Sequence, residues 1–332
     1  HGLLRRQRQM CIRDRLLEKG FDVRTTIRSE SRIDEIKKAM DQYPNLDQNL
    51  EFHICDLLKD NGWDEAVRGC RYVLHVASPF ILEVPSDEDV LIRPAVDGTL
   101  RVLNACSKNN VKKVVLTSSV AAVAYGHEKS KIYDESDWSN TGEDSGITPY
   151  AKSKTLAEKA AWDYLDNLDS DKKFDFTVIN PVGVFGPMLT SDIGTSNSLV
   201  SKLINGELPA CPATHMGYVD VRDVAKAHIF SMLNESTNDK RIIVSESEMF
   251  FVDVGRILND AGFKKSPTKQ MPNWLVKILA IFVKELSGVT KSLGKRVDTD
   301  KSRAKSLFDW DYISAKDSIV DTANQLSAMD KK

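Results

Sequence analysis

The stretch Val111–Ser119, with the sequence VKKVVLTSS, determines the fold class of this chain. Its apolar and β-branched centre, Val114–Thr117, predicts a strand that is buried on both faces, as in a parallel sheet. Ser118 and Ser119 follow this strand directly. The carboxyl edge of a parallel sheet is where α/β proteins bind their ligands. The stretch therefore predicts a parallel strand that carries two hydroxyl groups towards a ligand.

Similar strands alternate with helical patterns on both sides of this stretch, from residue 20 to about residue 180. The predicted strands are Phe21–Ile27, Leu50–Ile54, Tyr72–Val76, Lys113–Thr117, Phe176–Ile179 and, further on, Arg241–Val244. The predicted helices are Arg32–Gln42, Trp63–Arg68, Ile92–Lys108 and Ala151–Asn167. The alternation predicts an α/β fold with a Rossmann-type, doubly wound parallel sheet.

Beyond about residue 248 the pattern changes to helices and loops, which predicts a smaller, mostly helical C-terminal lobe that binds the substrate. The predicted domains are 16–184 for the Rossmann domain, with 216–247 contributing, and 185–215 with 248–332 for the substrate-binding lobe. The apolar stretch Trp274–Val283 is interrupted by Lys277. It has about half of the ~20 residues that span a membrane. It therefore predicts a buried helix.

The composition excludes several classes of protein. Of the 332 residues, 41% are hydrophobic and 28% are charged, which is typical of a folded enzyme and not of a disordered or collagen-like chain. A net charge of −2 predicts no nucleic-acid partner and no anionic membrane partner. The five cysteines lie far apart without a C-x-x-C pair, so we expect no disulfide framework, no metal site and a cytoplasmic location. We expect a monomer or a homodimer.

Residues 1–15, HGLLRRQRQMCIRDR, differ from the rest of the chain. They contain five arginines and show no strand or helix periodicity, which indicates a basic arm. The segment Leu16–Ser29 has the pattern of a helix end, a glycine stop at Gly20 and the second strand of a dinucleotide-binding unit. No first strand with a G-x-x-G-x-x-G loop precedes it. Because CIRDR also resembles translated sequencing adapter, we expect residues 1–15 to be an artefact or a truncation scar. A functional basic extension is the alternative.

The strongest chemical signal is the sequence Tyr150-Ala-Lys-Ser-Lys154 at the predicted start of a helix. Side chains four residues apart lie on one helical face, so Tyr150 and Lys154 can act on one substrate. An ammonium group near a phenol favours the phenolate and lowers its pKa, which suits proton transfer near neutral pH. Ser119 is placed to hydrogen-bond a developing oxyanion. Ser118 is the competing candidate.

These motifs together resemble the extended short-chain dehydrogenase/reductase family, and within it the dihydroflavonol-4-reductase-like branch. The resemblance covers roughly residues 16 to 325. The segments that carry it, besides Thr117-Ser-Ser119 and Tyr150–Lys154, are Val23–Arg28, Asp56-Leu57, Val73–Pro79, Tyr133–Trp138, Ser153–Glu158, Asn180–Gly186 and Tyr218–Ala225. Their joint occurrence is far more specific than any one motif.

The resemblance implies a role for individual residues. Ser119, Tyr150 and Lys154 would form a catalytic triad, and Lys154 would also hold the nicotinamide ribose. The residues expected to contact the rest of the dinucleotide are Asp56, Leu57, Ala77, Ser78 and Pro181. Core packing remains the alternative for Leu57 and Ala77, and Pro181 could simply end a strand.

The end of the second strand of the nucleotide-binding unit determines the choice of cofactor. NAD enzymes place an acidic residue there, whereas NADP enzymes place an arginine for the 2′-phosphate. Arg28 occupies this position and Arg32 lies four residues further on, although Glu30 is close by. The guanidinium geometry suits a phosphate, so we expect NADP(H).

The expected activity is reduction of an aldehyde or ketone to an alcohol, with Tyr150 as the proton donor. Phe80 and Tyr125 are candidate substrate-binding residues, with core packing as an equal alternative. Related plant flavonoid reductases carry an asparagine where this chain has Ala124, which favours a smaller carbonyl substrate. His75, His127, His215 and His228 are expected to be structural, with no partner carboxylate. The competing functions are a nucleotide-sugar epimerase or dehydratase, which usually has an acidic second-strand end, and a non-catalytic dinucleotide sensor, which often lacks the tyrosine or lysine.

Overall fold

The computed structural model describes residues 3–40, 47–78, 87–188, 193–283, 286 and 288–329, without the side chains of residues 3–10, 39, 47 and 195. The strands are β1 Val23–Ile27, β2 Leu50–Ile54, β3 Tyr72–His75, β4 Lys113–Thr117, β5 Ile132–Tyr133, β6 Asp175–Pro181, β7 Gly183–Phe185, β8 His215–Asp220, β9 Lys240–Val244, β10 Ser247–Phe250 and β11 Asp298–Thr299. The helices are α1 Leu3–Glu18, α2 Ile33–Met40, α3 Trp63–Val67, α4 Asp89–Lys108, α5 Pro149–Asp166, α6 Thr195–Asn205, α7 Val221–Leu233, α8 Phe251–Asp260, α9 Asn273–Leu279, α10 Ser302–Leu307 and α11 Ala315–Met329.

The largest sheet has four parallel strands in the order β3-β4-β6-β9. All five residues of β4 are buried, and in β6 Phe176 and Val178 have no exposed surface. Burying such a side chain contributes about 1.5–3 kcal/mol relative to leaving it exposed. This confirms the predicted α/β fold, because continuous apolar runs pair in parallel only where helices cover both faces.

β1 and β2 form a separate parallel pair rather than part of that sheet. The strands run parallel within the β1–β2 pair and within the four-stranded sheet. Among the described residues, however, no strand links β1 to β3. β1 and β2 also have a small core of their own, made by Leu17, Ile27, Ile36 and Met40. The parallel strands are therefore divided into two groups.

Helices cover both faces of the four-stranded sheet. On one face α4 packs against α5, and Val102 and Leu103 of α4 are buried in the same core as Phe176. On the other face α7 packs against α1 and the sheet. α7 begins where the carboxylate of Asp220 accepts a hydrogen bond of 2.7 Å from the backbone N–H of Arg222, as expected of an N-cap.

A smaller, mostly helical lobe lies beside the carboxyl edge. Its core joins α6, α8 and α11, with Leu203, Leu258 and Ile319 fully buried. β8 connects this lobe to the sheet, because it pairs in parallel with β7 and antiparallel with β10. None of the helices formed by the described residues is long and apolar enough to cross a membrane.

Two sequence-based expectations about secondary structure are wrong. Residues 1–15 were expected to lack helical structure, but α1 extends over Leu3–Glu18 and buries Cys11, Ile12 and Leu16 against the core. The stretch Trp274–Val283 was expected to be a buried helix, but α9 ends at Leu279 and Phe282 is 80% exposed. A run that is apolar on nearly every side shows no clear periodicity, so the sequence does not reveal whether a partner surface covers it.

Candidate active site

A cavity of about 790 Å³ lies between the carboxyl edge of the sheet and the C-terminal lobe. Ser119 from the end of β4, Pro181 from the end of β6 and Tyr150 from the start of α5 line it together. Met271 and Leu279 add apolar surface, and charged side chains such as Lys202 also line the cavity. The cavity thus lies where parallel α/β sheets bind ligands.

Ser119, rather than Ser118, contributes its side chain to this cavity. Ser119 caps a short 3₁₀ turn, and its Oγ accepts a hydrogen bond of 3.1 Å from the backbone N–H of Ala121. Its own hydroxyl proton is directed towards the Pro181 carbonyl, at a long distance of 3.5 Å. Ser118 is only 3% exposed and lies outside the cavity lining. The hydroxyl of Ser119 can therefore turn from Pro181 to a ligand oxygen at little cost.

Tyr150 lies in the first turn of α5. Thr148 caps this helix by accepting a hydrogen bond of 3.2 Å from Ala151, and Pro149 occupies the first helical position, which proline favours. The N-terminal end of a helix carries partial positive charge, which stabilises an anion such as a phenolate. The cap therefore fixes the start of α5, and with it Tyr150, at the cavity.

Lys154 follows Tyr150 by about one turn on the same face of α5. It is 4% exposed, and its Nζ donates a hydrogen bond of 3.1 Å to the Thr117 carbonyl at the end of β4. Thr117 in turn has its Oγ1 at 2.6 Å from His228 Nε2, within the core. The ammonium group is thus anchored between α5 and the strand that carries Ser119.

A buried ionic network supports these residues from behind. Glu158 is one turn beyond Lys154 and is 1% exposed. Its carboxylate accepts hydrogen bonds from Arg241 Nε at 2.5 Å and from Asn180 Nδ2 at 2.8 Å. The Asn180 amide also donates to the Ser119 carbonyl at 3.2 Å. The network therefore connects α5 and β9 to the backbone of Ser119.

Neither the composition nor the motif spacing indicated this ionic network, although Glu158 and Asn180 both belong to motifs of the sequence analysis. The guanidinium of Arg241 donates to the carbonyls of Glu135 and Asp137, and its Cζ lies 3.7 Å from the ring centroid of Trp138. These partners are far apart in the sequence. Only the fold brings them together.

Tyr125 and Ala124 lie in the cavity lining, next to Tyr150. Loss of hydration, followed by the proximity of Tyr150, raises the pKa of Tyr125 to about 12. Tyr125 therefore stays protonated at neutral pH, as a hydrogen-bond donor rather than a base. Phe80, the other predicted substrate-binding residue, lies outside the described residues.

Two of the four histidines that were expected to be structural line the cavity, namely His127 and His215. The expectation that none has a partner carboxylate is wrong, because His215 Nε2 lies 3.9 Å from Asp298 Oδ1. Burial nevertheless lowers the pKa of His215, against the opposing effect of Asp298. His75 and His228 are buried in the core, as expected.

The predicted cofactor residues lie at the ends of successive strands. Arg28 is exposed directly after β1, Asp56 follows β2, and Ala77 and Ser78 follow β3. Asp56 Oδ1 accepts a hydrogen bond of 3.0 Å from the backbone N–H of Leu58. Leu57 packs against Gly98 of α4, where an added Cβ would lie 2.9 Å from Leu57 Cβ. The predicted set therefore lines one edge, although β1 and β2 belong to the separate group.

Residues 11–244 match the NAD dependent epimerase/dehydratase family. The chain is 32% identical over 336 residues to the NADPH-dependent methylglyoxal reductase Gre2 of Saccharomyces cerevisiae, covering 95% of this chain and 94% of that protein. It is 32% identical over 252 residues to dihydroflavonol 4-reductase of Gerbera hybrida, covering 74% of this chain and 67% of that protein. The crystal structure of yeast methylglyoxal/isovaleraldehyde reductase Gre2 complexed with NADPH superposes with a TM-score of 0.80 at 30% identity, covering 98% of this chain and 96% of that one. The resemblance drawn from the motifs is thereby confirmed.

Proposed function

The chain belongs to the NAD dependent epimerase/dehydratase family, and from this membership and its cavity we propose that it is an NADP(H)-dependent oxidoreductase that reduces an aldehyde or ketone to an alcohol. One observation carries the proposal. Ser119 and Tyr150 line the same cavity, with the Lys154 ammonium anchored one turn from Tyr150. The likeness to reductases such as Gre2, whose name states NADPH dependence, supports the same class of reaction.

The residues at the carboxyl edge fit a dinucleotide. Arg28 is exposed at the end of β1, where its guanidinium suits a 2′-phosphate, and Asp56 follows the neighbouring strand. Pro181 lies at the cavity near Tyr150, where the nicotinamide end belongs. When bound, the reduced nicotinamide would supply a hydride to the carbonyl carbon.

Side chains of the protein would donate the proton to the carbonyl oxygen and stabilise the negative charge that develops on it. The Tyr150 hydroxyl donates its proton to that oxygen, and the Ser119 hydroxyl donates a hydrogen bond to it. The phenolate left on Tyr150 is stabilised by the Lys154 ammonium and by the first turn of α5. A proton from solvent then restores the phenol.

The cavity walls favour a carbonyl compound with an apolar substituent. Val182, Leu199, Met216 and Met271 contribute apolar surface, and Ala124 has no polar group to bind a substrate hydroxyl. A hydroxyl buried against this apolar part of the lining without a partner costs about 1–3 kcal/mol. We therefore place simple aldehydes and ketones first among the substrates.

The test is a spectrophotometric assay of the full chain with NADPH and a panel of aldehydes and ketones. Tyr150→Phe is expected to abolish NADPH consumption, because it removes the proton donor. Tyr133→Phe is the matched control, since it also lines the cavity but its hydroxyl donates to the Lys129 carbonyl, and its loss should leave most of the activity. Turnover that survives in Tyr150→Phe contradicts the mechanism. NADH consumption as fast as that of NADPH contradicts the role of Arg28.

A further inference from the structure

The cavity that contains Ser119 and Tyr150 has an excess of positive charge in its lining. Among the described residues, the only carboxylate in the lining is that of Glu207. The positively charged side chains are those of Lys129, Lys202, Lys291, Lys295 and Arg296. Because the chain as a whole has a net charge of −2, the sign of the charge at the cavity is opposite to that of the whole protein.

Most of these cations have no ion-pair partner. Arg296 is neutralised, because its Nε lies 2.9 Å from Asp298 Oδ2. The four lysines of the lining form no ion pair with any residue that the structure describes. A cleft lined by charges of one sign raises the local concentration of ligands of the opposite sign. The lining therefore indicates a ligand with negative charge.

Gly146 gives Lys291 its place at the cavity. Gly146 follows a short 3₁₀ turn and lies four residues before Tyr150. A Cβ added at Gly146 would lie 2.7 Å from Lys291 Nζ, closer than Cβ atoms come to their neighbours. The Lys291 side chain therefore lies against bare backbone, in a space that any other residue at position 146 would fill.

Lys295 lies on the neighbouring part of the same wall. Its Nζ donates a hydrogen bond of 3.4 Å to the His127 carbonyl. The preceding residue, Gly126, is close to Ser145, because a Cβ added at Gly126 would lie 3.3 Å from Ser145 Cβ. The segment that holds Lys295 thus contacts the segment that leads through Gly146 to Tyr150. Both ammonium groups border the cavity wall next to the proposed proton donor.

We propose that the cavity binds a carbonyl compound that also carries a carboxylate, with Lys291 and Lys295 holding the carboxylate. This inference rests on the proposed reductase function and narrows its substrate class to oxo acids. Lysine ammonium groups form charge-assisted hydrogen bonds with carboxylate oxygens. Apolar residues such as Met271 and Leu279 also line the cavity and suit the hydrocarbon chain between the two groups. The carboxylate itself is unchanged by the reaction.

The experiment compares NADPH-dependent reduction of 4-oxopentanoate and 6-oxoheptanoate with reduction of their methyl esters, which differ mainly by the missing charge. We expect kcat/KM to be at least tenfold higher for one of the acids than for its ester. The acid-to-ester ratio should fall towards one in about 0.5 M salt, since salt screens charges at an open cavity.

The decisive variant is Lys291→Met combined with Lys295→Met, in which the acid-to-ester ratio should fall about tenfold. Lys305→Met combined with Lys316→Met is the matched control. It changes the net charge by the same amount, and both lysines are exposed and lie outside the cavity lining. The control should keep the ratio of the unchanged protein. An equal ratio in the two double variants, or no preference for either acid over its ester, overturns the proposal.

A binding measurement separates this proposal from the proposed reductase function. Hexanoate and 1-hexanol cannot be reduced by the proposed reaction, and their dissociation constants are measured by ligand-observed NMR without NADPH. Tighter binding of hexanoate, lost in the Lys291 and Lys295 variant, supports the carboxylate site even if no carbonyl compound is reduced. Equal binding of hexanoate and 1-hexanol rejects the site, whereas reduction of the esters would leave the reductase function standing.

Discussion

Replacement of Glu158 is the sharpest test of the buried network behind the cavity. Glu158 accepts hydrogen bonds from Arg241 at 2.5 Å and from Asn180 at 2.8 Å, and it is 1% exposed. Glu158→Ala leaves the Arg241 guanidinium buried at 7% exposure without its counter-charge. Glu158→Gln retains an oxygen that can accept from either donor but removes the charge.

The expected magnitudes follow from the burial of both partners. Removing one partner of a buried ion pair costs about 3–5 kcal/mol, because the other charge stays in a medium that solvates it poorly. We therefore expect Glu158→Ala to lower the free energy of unfolding by about 4 kcal/mol. Glu158→Gln should cost about 1–3 kcal/mol, as expected when a charged hydrogen bond becomes a neutral one.

The assay is urea unfolding followed by tryptophan fluorescence, on Glu158→Ala and Glu158→Gln, on Glu158→Leu and Arg241→Met alone, and on the latter two combined. We expect the double variant to be more stable than Glu158→Ala, since no unpaired charge remains in it. A loss below about 1 kcal/mol in Glu158→Ala, or simple additivity of the two single changes, would refute the reasoning. Turnover at saturating substrate should also fall in Glu158→Ala, because Asn180 holds the Ser119 carbonyl at 3.2 Å.

Three further predictions concern other parts of the chain. Arg13 and Asp14 form a buried ion pair, with Arg13 Nε 2.7 Å from Asp14 Oδ1, while Asp14 Oδ2 makes no hydrogen bond among the described residues. Arg13→Leu combined with Asp14→Ala should raise the melting temperature, because an apolar pair avoids the cost of burying two charges; a fall would contradict this. Burial lowers the pKa of Lys113 to about 8, so between about pH 8 and about pH 10.5 the unfolded chain binds more protons at this residue than the folded chain does. The free energy of unfolding, measured with urea, should therefore rise with pH in this range relative to Lys113→Met. Parallel pH profiles of the two proteins would exclude this. Gly98→Ala would place a Cβ 2.9 Å from Leu57 Cβ and displace Leu57, an expected cofactor contact. NADPH binding should therefore weaken several-fold with little change in turnover. Unchanged affinity in a fluorescence titration would argue against Leu57 as a cofactor contact.

The sheet could be predicted from the sequence because its strands are short apolar runs between polar residues. Leu50–Ile54 and Lys113–Thr117 have the predicted bounds. The helix α1 was not predicted, because residues 1–15, which were interpreted as a basic arm, show no amphipathic periodicity. Leucine, arginine, glutamine and methionine all have high intrinsic helix propensity, however, and that propensity does not depend on periodicity.

The candidate site was only partly predictable, for reasons that differ between residues. Tyr150 and Lys154 could be paired because their spacing is local. The choice between Ser118 and Ser119 depends on the turn after β4, which makes Ser119 the cap of a 3₁₀ helix and buries Ser118. The contact of Arg241 with Glu158 joins residues 83 positions apart, and no local pattern encodes such a pair.

The division between β1–β2 and the four-stranded sheet has a consequence for how the molecule loses its structure. No backbone ladder joins the two groups in the described part of the chain, and the smaller group has its own core around Leu17 and Ile36. The links that remain are side-chain contacts, such as the hydrogen bond of 2.8 Å from Arg24 of β1 to the Arg68 carbonyl, and groups joined in this way can open as separate cooperative units. We therefore expect limited proteolysis to cut the β1–β2 group before the larger unit, whereas unfolding of the Glu158 and Lys113 variants reports on the larger unit.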